Sequence, residues 1–296
     1  MNTIDHKLTL NNGKLMPMFG LGVFQSPRNE TVAAVKTAIK QGYRLIDTAA
    51  IYENEREVGQ AIKESGIKRE ELFVTTKLWL TDFGFDEAFD AYGTSLKKLG
   101  LDYVDLYLLH WPMPMHWEAT LDAWNALIGL YNQGRIGSIG VSNFEPEMIE
   151  RLIDAGSVVP AVNQVELHPY FQHKDLRDYH AKHGIVTQAW SPLGAVDVYG
   201  TRSTGRNIFD NEMVKDIAAA HNKTVAQVIL RWHVQHNIAI IPKSVHESRI
   251  IENSQITDFF LTHPEMYAID KLNMGLRGGQ IPYENQNGYG VQISKP

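Results

Sequence analysis

No cysteine occurs among the 296 residues, and this one absence removes disulfides, thiolate metal sites and cysteine nucleophiles together. No apolar run is long enough to cross a bilayer, and the opening Met1-Asn2-Thr3-Ile4-Asp5-His6-Lys7 carries no apolar signal segment. A cytoplasmic protein without a membrane partner is therefore expected. Positive charge is also in short supply: 28 lysines and arginines face 34 aspartates and glutamates, a formal net charge of -6, and the cations are scattered. Such a surface does not compensate a phosphate backbone, so nucleic acid is not an expected partner. Linkers are missing too. No composition break, charge run or Pro/Gly/Ser stretch divides the chain, which reads as one domain over residues 1–296. At 44% hydrophobic and 21% charged, the composition is that of a folded globular chain rather than a disordered one.

What the chain does have is alternation. Lys7-Leu8-Thr9-Leu10, Asn11-Asn12-Gly13 and Lys14-Leu15-Met16-Pro17 read as two strands around an Asn-Gly turn, a sequence that tolerates positive φ at both turn positions. Eight apolar segments follow, at residues 19–22, 45–46, 72–74, 104–109, 136–141, 161–165, 186–189 and 239–241. Helix-period stretches lie between them, such as Thr31 as N-cap before Val32, Val35 and Ile39, and Thr224 before Val225, Val228, Ile229 and Trp232. This order argues for a parallel sheet covered by helices. Eight units favour a closed (β/α)8 barrel of the TIM type over an open sheet, with the N-terminal β-hairpin as a plug. Residues 113–118, 194–207 and 275–296 are the least regular and are candidate loops over the barrel mouth, where substrate choice is expected to reside.

Four polar residues stand where strands are expected to end: Asp47 and Tyr52 after the second apolar segment, Lys77 after the third and His110 after the fourth. In a parallel barrel the C-terminal strand ends share one mouth, so these four can converge on one substrate. A cation beside a phenol favours phenolate and lowers the tyrosine pKa from its usual value of about 10. An acid, a phenol, an amine and an imidazole together suit carbonyl reduction. Taken singly, each has an ordinary reading as a packing residue, half of an ion pair or a hydrogen-bonded core histidine.

None of the four is a redox centre, so hydride chemistry must borrow one. Gly20-Leu21-Gly22 lacks the third glycine of a Rossmann fingerprint, and no Walker-type loop occurs. His180 and His183, and His233 and His236, share i,i+3 spacing without a third ligand, so no metal is expected. His168-Pro169 reads as structural.

Gly42-Tyr43-Arg44-Leu45-Ile46-Asp47-Thr48-Ala49, then Tyr52, Lys77, His110-Trp111-Pro112, Gly140-Val141-Ser142-Asn143-Phe144, Asn163-Gln164 and Ile241-Pro242-Lys243-Ser244 follow one another almost end to end. In this the chain resembles the aldo-keto reductases, most of all bacterial members that reduce 2,5-diketo-gluconate and small dicarbonyls. The resemblance implies a monomer that reduces a small carbonyl substrate with NADPH. Tyr52 would be the proton donor, Lys77 and Asp47 its tuning pair, and His110 the residue that orients the carbonyl oxygen. It implies an extended NADP at the mouth, with Trp190 stacked on nicotinamide and Ser142, Asn143 and Gln164 bonding the carboxamide. Gly22 would also border the cofactor, and Ser191 and Leu193 would lie along the pyrophosphate path. Lys243, Ser244 and Arg249 would grip the 2′-phosphate, while Glu252 and Asn253 hold adenine. Phe24, Trp79 and Trp111 would wall the substrate. The loop after Leu193 departs from the family's pattern, with Arg202 and Arg206 in a segment containing glycine and threonine.

Two alternatives stay open at this point. One is a regulatory or structural protein that keeps the fold and cofactor with vestigial activity. The other makes Lys77 a Schiff-base nucleophile, which would need a neutral amine and is opposed by Asp47.

Overall fold

The computed structural model describes residues 6–194 and 207–283. Strands β1 (Lys7–Thr9) and β2 (Leu15–Pro17) pair antiparallel as a hairpin. Eight further strands pair in parallel in chain order: β3 (Leu21–Gly22), β4 (Leu45–Asp47), β5 (Phe73–Leu78), β6 (Val104–Leu109), β7 (Ile136–Ser142), β8 (Val162–Glu166), β9 (Val186–Trp190) and β10 (Ala239–Ile240). The sheet then closes on itself. Ile240 N–H donates to the Met18 carbonyl at 2.8 Å, Gly20 N–H to Ile240 at 2.9 Å and Gly22 N–H to Pro242 at 3.2 Å. The fold is the expected α/β barrel with an N-terminal hairpin.

Strand parity decides what fills it. Leu45, Phe73, Leu106, Leu108 and Val162 belong to an inner apolar cluster, while their neighbours Ile46, Val74, Tyr107 and Val165 pack outward against the helices. Because strand side chains alternate, Asp47, Lys77, His110 and Gln164 share the inward parity of that cluster, nearer the C-terminal ends. The polar residues thus stand above an apolar floor. Leu10 and Met16 complete the floor from the hairpin, both fully buried in the same cluster. Asn11 Nδ2 donates to the carbonyls of Val159 and Pro160, and Asn12 Nδ2 to the Gly137 carbonyl and Ser138 Oγ, so the hairpin is pinned as a plug.

Three local expectations need correction. Of the Asn-Gly pair only Gly13 has positive φ, at 83°. Leu10 N–H bonds the Lys14 carbonyl and Gly13 N–H bonds Leu10, which makes a longer connection closed by a left-handed glycine rather than a two-residue turn. Thr31 does not cap α1 (Arg28–Lys40): Pro27 does, and the Thr31 hydroxyl donates to the Pro27 carbonyl from inside the first turns. Residues 113–118 are not all loop, because α4 (Trp117–Asn132) begins within them. Thr224, by contrast, caps α8 (Val225–Gln235) in a reciprocal box with Gln227. Arg202 and Arg206, with most of residues 194–207 and the end of the 275–296 stretch, lie outside the described residues.

Helices α2 (Glu55–Ser65) and α3 (Phe85–Leu99) pack against each other, and their approach is set by Gly59. A Cβ there would stand 2.0 Å from the Leu99 carbonyl oxygen, whereas a Cβ on Gly93 of α3 would meet nothing within 4 Å. Helix propensity favours alanine at both positions by about 1 kcal/mol. Overpacking against backbone reverses the sign at Gly59, so Gly59→Ala is expected to cost about 1–3 kcal/mol and Gly93→Ala to gain a few tenths to 1 kcal/mol. Thermal unfolding of the two variants checks this, and a stabilised Gly59→Ala would show that α2 and α3 can part cheaply.

Candidate active site

Lys77 reaches from β5 into the barrel and is fully buried. Its Nζ donates to Asp47 Oδ1 at 2.5 Å, to the Thr48 carbonyl at 2.9 Å and to the Tyr52 hydroxyl oxygen at 3.3 Å. The Tyr52 hydroxyl lies 3.4 Å from His110 Nε2. Tyr52 ends a 3-10 turn, Ala50–Tyr52, directly after β4. Asn54 ties down that turn: its Oδ1 accepts from the Thr48 hydroxyl and its Nδ2 donates to the Val23 carbonyl, each at 2.8 Å. Nothing in the spacing pointed to Asn54. The only signal was a short polar residue beside a sharp change from strand to helix.

Burial works against both charges, pushing the Asp47 carboxyl up and the Lys77 ammonium down, while their mutual attraction and hydrogen bonding oppose it. The bonding is that of an ionised pair. All three ammonium hydrogens have an acceptor, and both Asp47 oxygens accept, Oδ2 from Gln164 Nε2 at 2.7 Å. For His110, burial first and the Lys77 charge second hold the imidazole well below its ordinary value, so it is neutral at neutral pH. Its Nδ1 has no partner among the described residues.

The expected cofactor residues divide into two groups. Gly22, Ser142, Asn143, Gln164, Trp190, Ser191 and Lys243 border the same cavity as the four polar residues Asp47, Tyr52, His110 and, through its bonds, Lys77. Trp190 is tethered by its Nε1, which donates to Asn143 Oδ1 at 2.9 Å. Asn143 spends its Nδ2 on the His110 carbonyl and Ser142 Oγ, and Ser142 Oγ donates to the Gln164 carbonyl. Asn143 and Ser191 both follow or end barrel strands with left-handed backbone, φ 66° and 47°. The second group, Leu193, Ser244, Arg249, Glu252 and Asn253, lies outside that cavity lining. Ser244 Oγ accepts from His246 N–H just before α9 (Glu247–Ser254), Arg249 is exposed in the first turns of that helix, and Asn253 is buried on it. Glu252 already accepts from the Thr224 hydroxyl at 2.7 Å.

The cavity, about 380 Å³, is also bordered by Phe24, Trp79 and Trp111, the expected substrate walls. Phe24 leans on the Tyr52 ring at 4.9 Å and Trp79 meets His110 edge-on at 5.1 Å. Gln25, Ile51 and Ile241 line it as well, unanticipated from sequence. The helical histidines are engaged elsewhere: His180 with Asn163 and Thr187, and His233 with the Ile229 and Leu167 carbonyls. Burial holds them down to about 3 and about 4. His236 pairs with Asp270, and His168 with Glu166.

A model of the aldo/keto reductase family matches residues 17–274. The chain is 50% identical over 283 residues to the glyoxal reductase of Bacillus subtilis, covering 95% of this chain and 98% of the relative. It is 49% identical over 278 residues to the morphine 6-dehydrogenase of Pseudomonas putida, covering 93% and 94%. The aldo-keto reductase of Bombyx mori, solved in complex with NADP, superimposes with a TM-score of 0.86 at 36% identity, covering 93% of this chain and 95% of that one. A closed parallel barrel, four polar residues converging at its mouth and near-complete matches to these proteins show that the chain belongs to the aldo/keto reductase family.

Proposed function

We propose that this chain reduces an aldehyde or ketone to the alcohol with NADPH, using Tyr52 as the proton donor. The observation that carries this reading is a phenol oxygen set 3.3 Å from a buried ammonium and 3.4 Å from an imidazole nitrogen, beside an aromatic-walled cavity. When bound, NADPH supplies the hydride that none of these side chains can provide. Tyr52 gives its proton to the carbonyl oxygen as negative charge develops there. Lys77 stabilises the phenolate left behind, and Asp47 keeps Lys77 charged. Neutral His110 offers an Nε2–H that can orient the same oxygen without competing as an acid. The Schiff-base alternative loses ground because every hydrogen of the Lys77 ammonium is engaged.

The donor set also suits the cofactor. Gln164 lines the cavity with both N–H bonds committed to the protein, leaving Oε1 for a carboxamide N–H, and the tethered Trp190 indole offers a face for nicotinamide. Lys243, Ser244 and Arg249, around the start of α9, suit a dianionic 2′-phosphate. The Bombyx mori relative was solved with NADP, and the Bacillus subtilis relative is a glyoxal reductase, which supports a small carbonyl substrate.

Two measurements test these assignments. Tyr52→Phe is expected to lower kcat by about 10²-fold or more while NADPH affinity stays near wild type, because the hydroxyl matters only in the chemical step; turnover within a few-fold would remove Tyr52 from its role. Arg249→Ala is expected to weaken NADPH by about 10–100-fold and leave NADH nearly unchanged, the loss of one charge-assisted hydrogen bond. Fluorescence titration of both cofactors reads this directly, and equal losses would assign Arg249 to the fold or the adenine instead.

A further inference from the structure

Gln188 takes no part in the chemistry above, yet it lies directly behind it. It is the neighbour of Gln164 across the β8–β9 ladder, so by parity both side chains enter the barrel, and it is fully buried. Its Oε1 accepts one N–H of Gln164 at 2.7 Å, and the other N–H of Gln164 goes to Asp47 Oδ2 at the same distance. The Gln188 Nε2, equally buried, has no partner among the described residues. This amide therefore satisfies its neighbour but not itself, a costly arrangement for an interior polar group.

We infer that Gln188 is a positioning residue that fixes the plane of the Gln164 amide by holding its second N–H, and through it serves both the cofactor and the proton donor. The inference rests on the NADPH reading. With Gln188 accepting, Gln164 donates to Asp47 and keeps Oε1 for the carboxamide. Without that acceptor, the second N–H of Gln164 is buried unpaired, and only the bond to Asp47 Oδ2 still holds the amide. Held at one point only, the amide plane can swing about that bond, so Oε1 is no longer fixed toward the carboxamide and the N–H to Asp47 is less well aligned. The charged and titratable groups sharing this interior are Asp47 of β4, Lys77 of β5, His110 after β6 and Glu166 of β8, with Tyr52 bonded to Lys77. A less stabilised Asp47 draws proton density from Lys77, and a less positive Lys77 leaves the Tyr52 phenolate less favoured. Alcohol oxidation, which needs that phenolate as base, then requires a higher pH.

The test uses the full chain carrying Gln188→Met, which removes the acceptor and the unpartnered N–H at nearly constant length, and Gln188→Glu, which keeps an acceptor oxygen. Gln188→Leu is the second acceptor-free variant should methionine fail to fold. For Gln188→Met the expected result is NADPH binding weakened roughly 5–10-fold and the rising limb of the alcohol-oxidation pH profile moved up by about half a unit or more, with no matching drop in melting temperature. Gln188→Glu should return NADPH affinity to within roughly twofold of wild type. An acceptor-free variant that binds NADPH and titrates like wild type overturns the inference, as does equal loss in Gln188→Met and Gln188→Glu, which would make the residue filler. A wild-type protein that neither binds NADPH nor reduces carbonyls overturns the functional reading and this inference together; a competent wild type with an indifferent Gln188→Met overturns this inference alone.

Discussion

A lysine ammonium taken fully out of water needs a counter-charge within hydrogen-bond distance, and the Lys77–Asp47 pair meets that need at 2.5 Å inside the barrel. Losing one partner from such a pair typically costs about 3–5 kcal/mol, a large share of the stability of an ordinary domain. Much of the architecture is arranged around it. β4 and β5 pair in parallel so that both groups share a parity, Thr48 contributes its carbonyl, and Gln164 caps the second carboxylate oxygen. Beneath lies the apolar floor plugged by Leu10 and Met16, which keeps water from entering at the other end.

The same pair links folding to chemistry. Its charges are unfavourable to bury, and the remaining hydrogen of the ammonium points to the Tyr52 oxygen. The proposed stabilisation of phenolate therefore rests on the folded interior rather than on the substrate. The imidazole of His110, kept neutral by that burial and by Lys77, can act as a hydrogen-bond donor without adding a second positive charge. Around this centre runs a polar belt, from Gln188 through Gln164 to Asp47 and from Ser142 through Asn143 to Trp190, which joins the side of the mouth that holds Lys77 and Tyr52 to the side that holds Trp190.

How far the sequence went is visible residue by residue. All eight barrel segments and the convergence of Asp47, Tyr52, Lys77 and His110 were legible, because a buried strand announces itself by an apolar run and a strand end by the polar residue that stops it. Thr31 misled because a threonine hydroxyl can bond a carbonyl from inside a helix as readily as it caps one. The hairpin turn misled because local residue preferences do not register that Asn11 and Asn12 are drawn to carbonyls more than 100 positions away. Asn54 and Gln188 were illegible for a related reason: their partners come from other strands or the far side of a turn, and no local pattern encodes them.

The central claim, that the buried Lys77 charge favours the Tyr52 phenolate, is tested most directly by following tyrosinate absorbance against pH. Burial pushes Tyr43, Tyr92 and Tyr107 upward, so those rings ionise late. The wild type should show one tyrosine ionising below the usual phenol value of about 10. That step should vanish in Tyr52→Phe and move upward in Lys77→Met. A wild type with no early step, or an early step that Lys77→Met leaves in place, would contradict it.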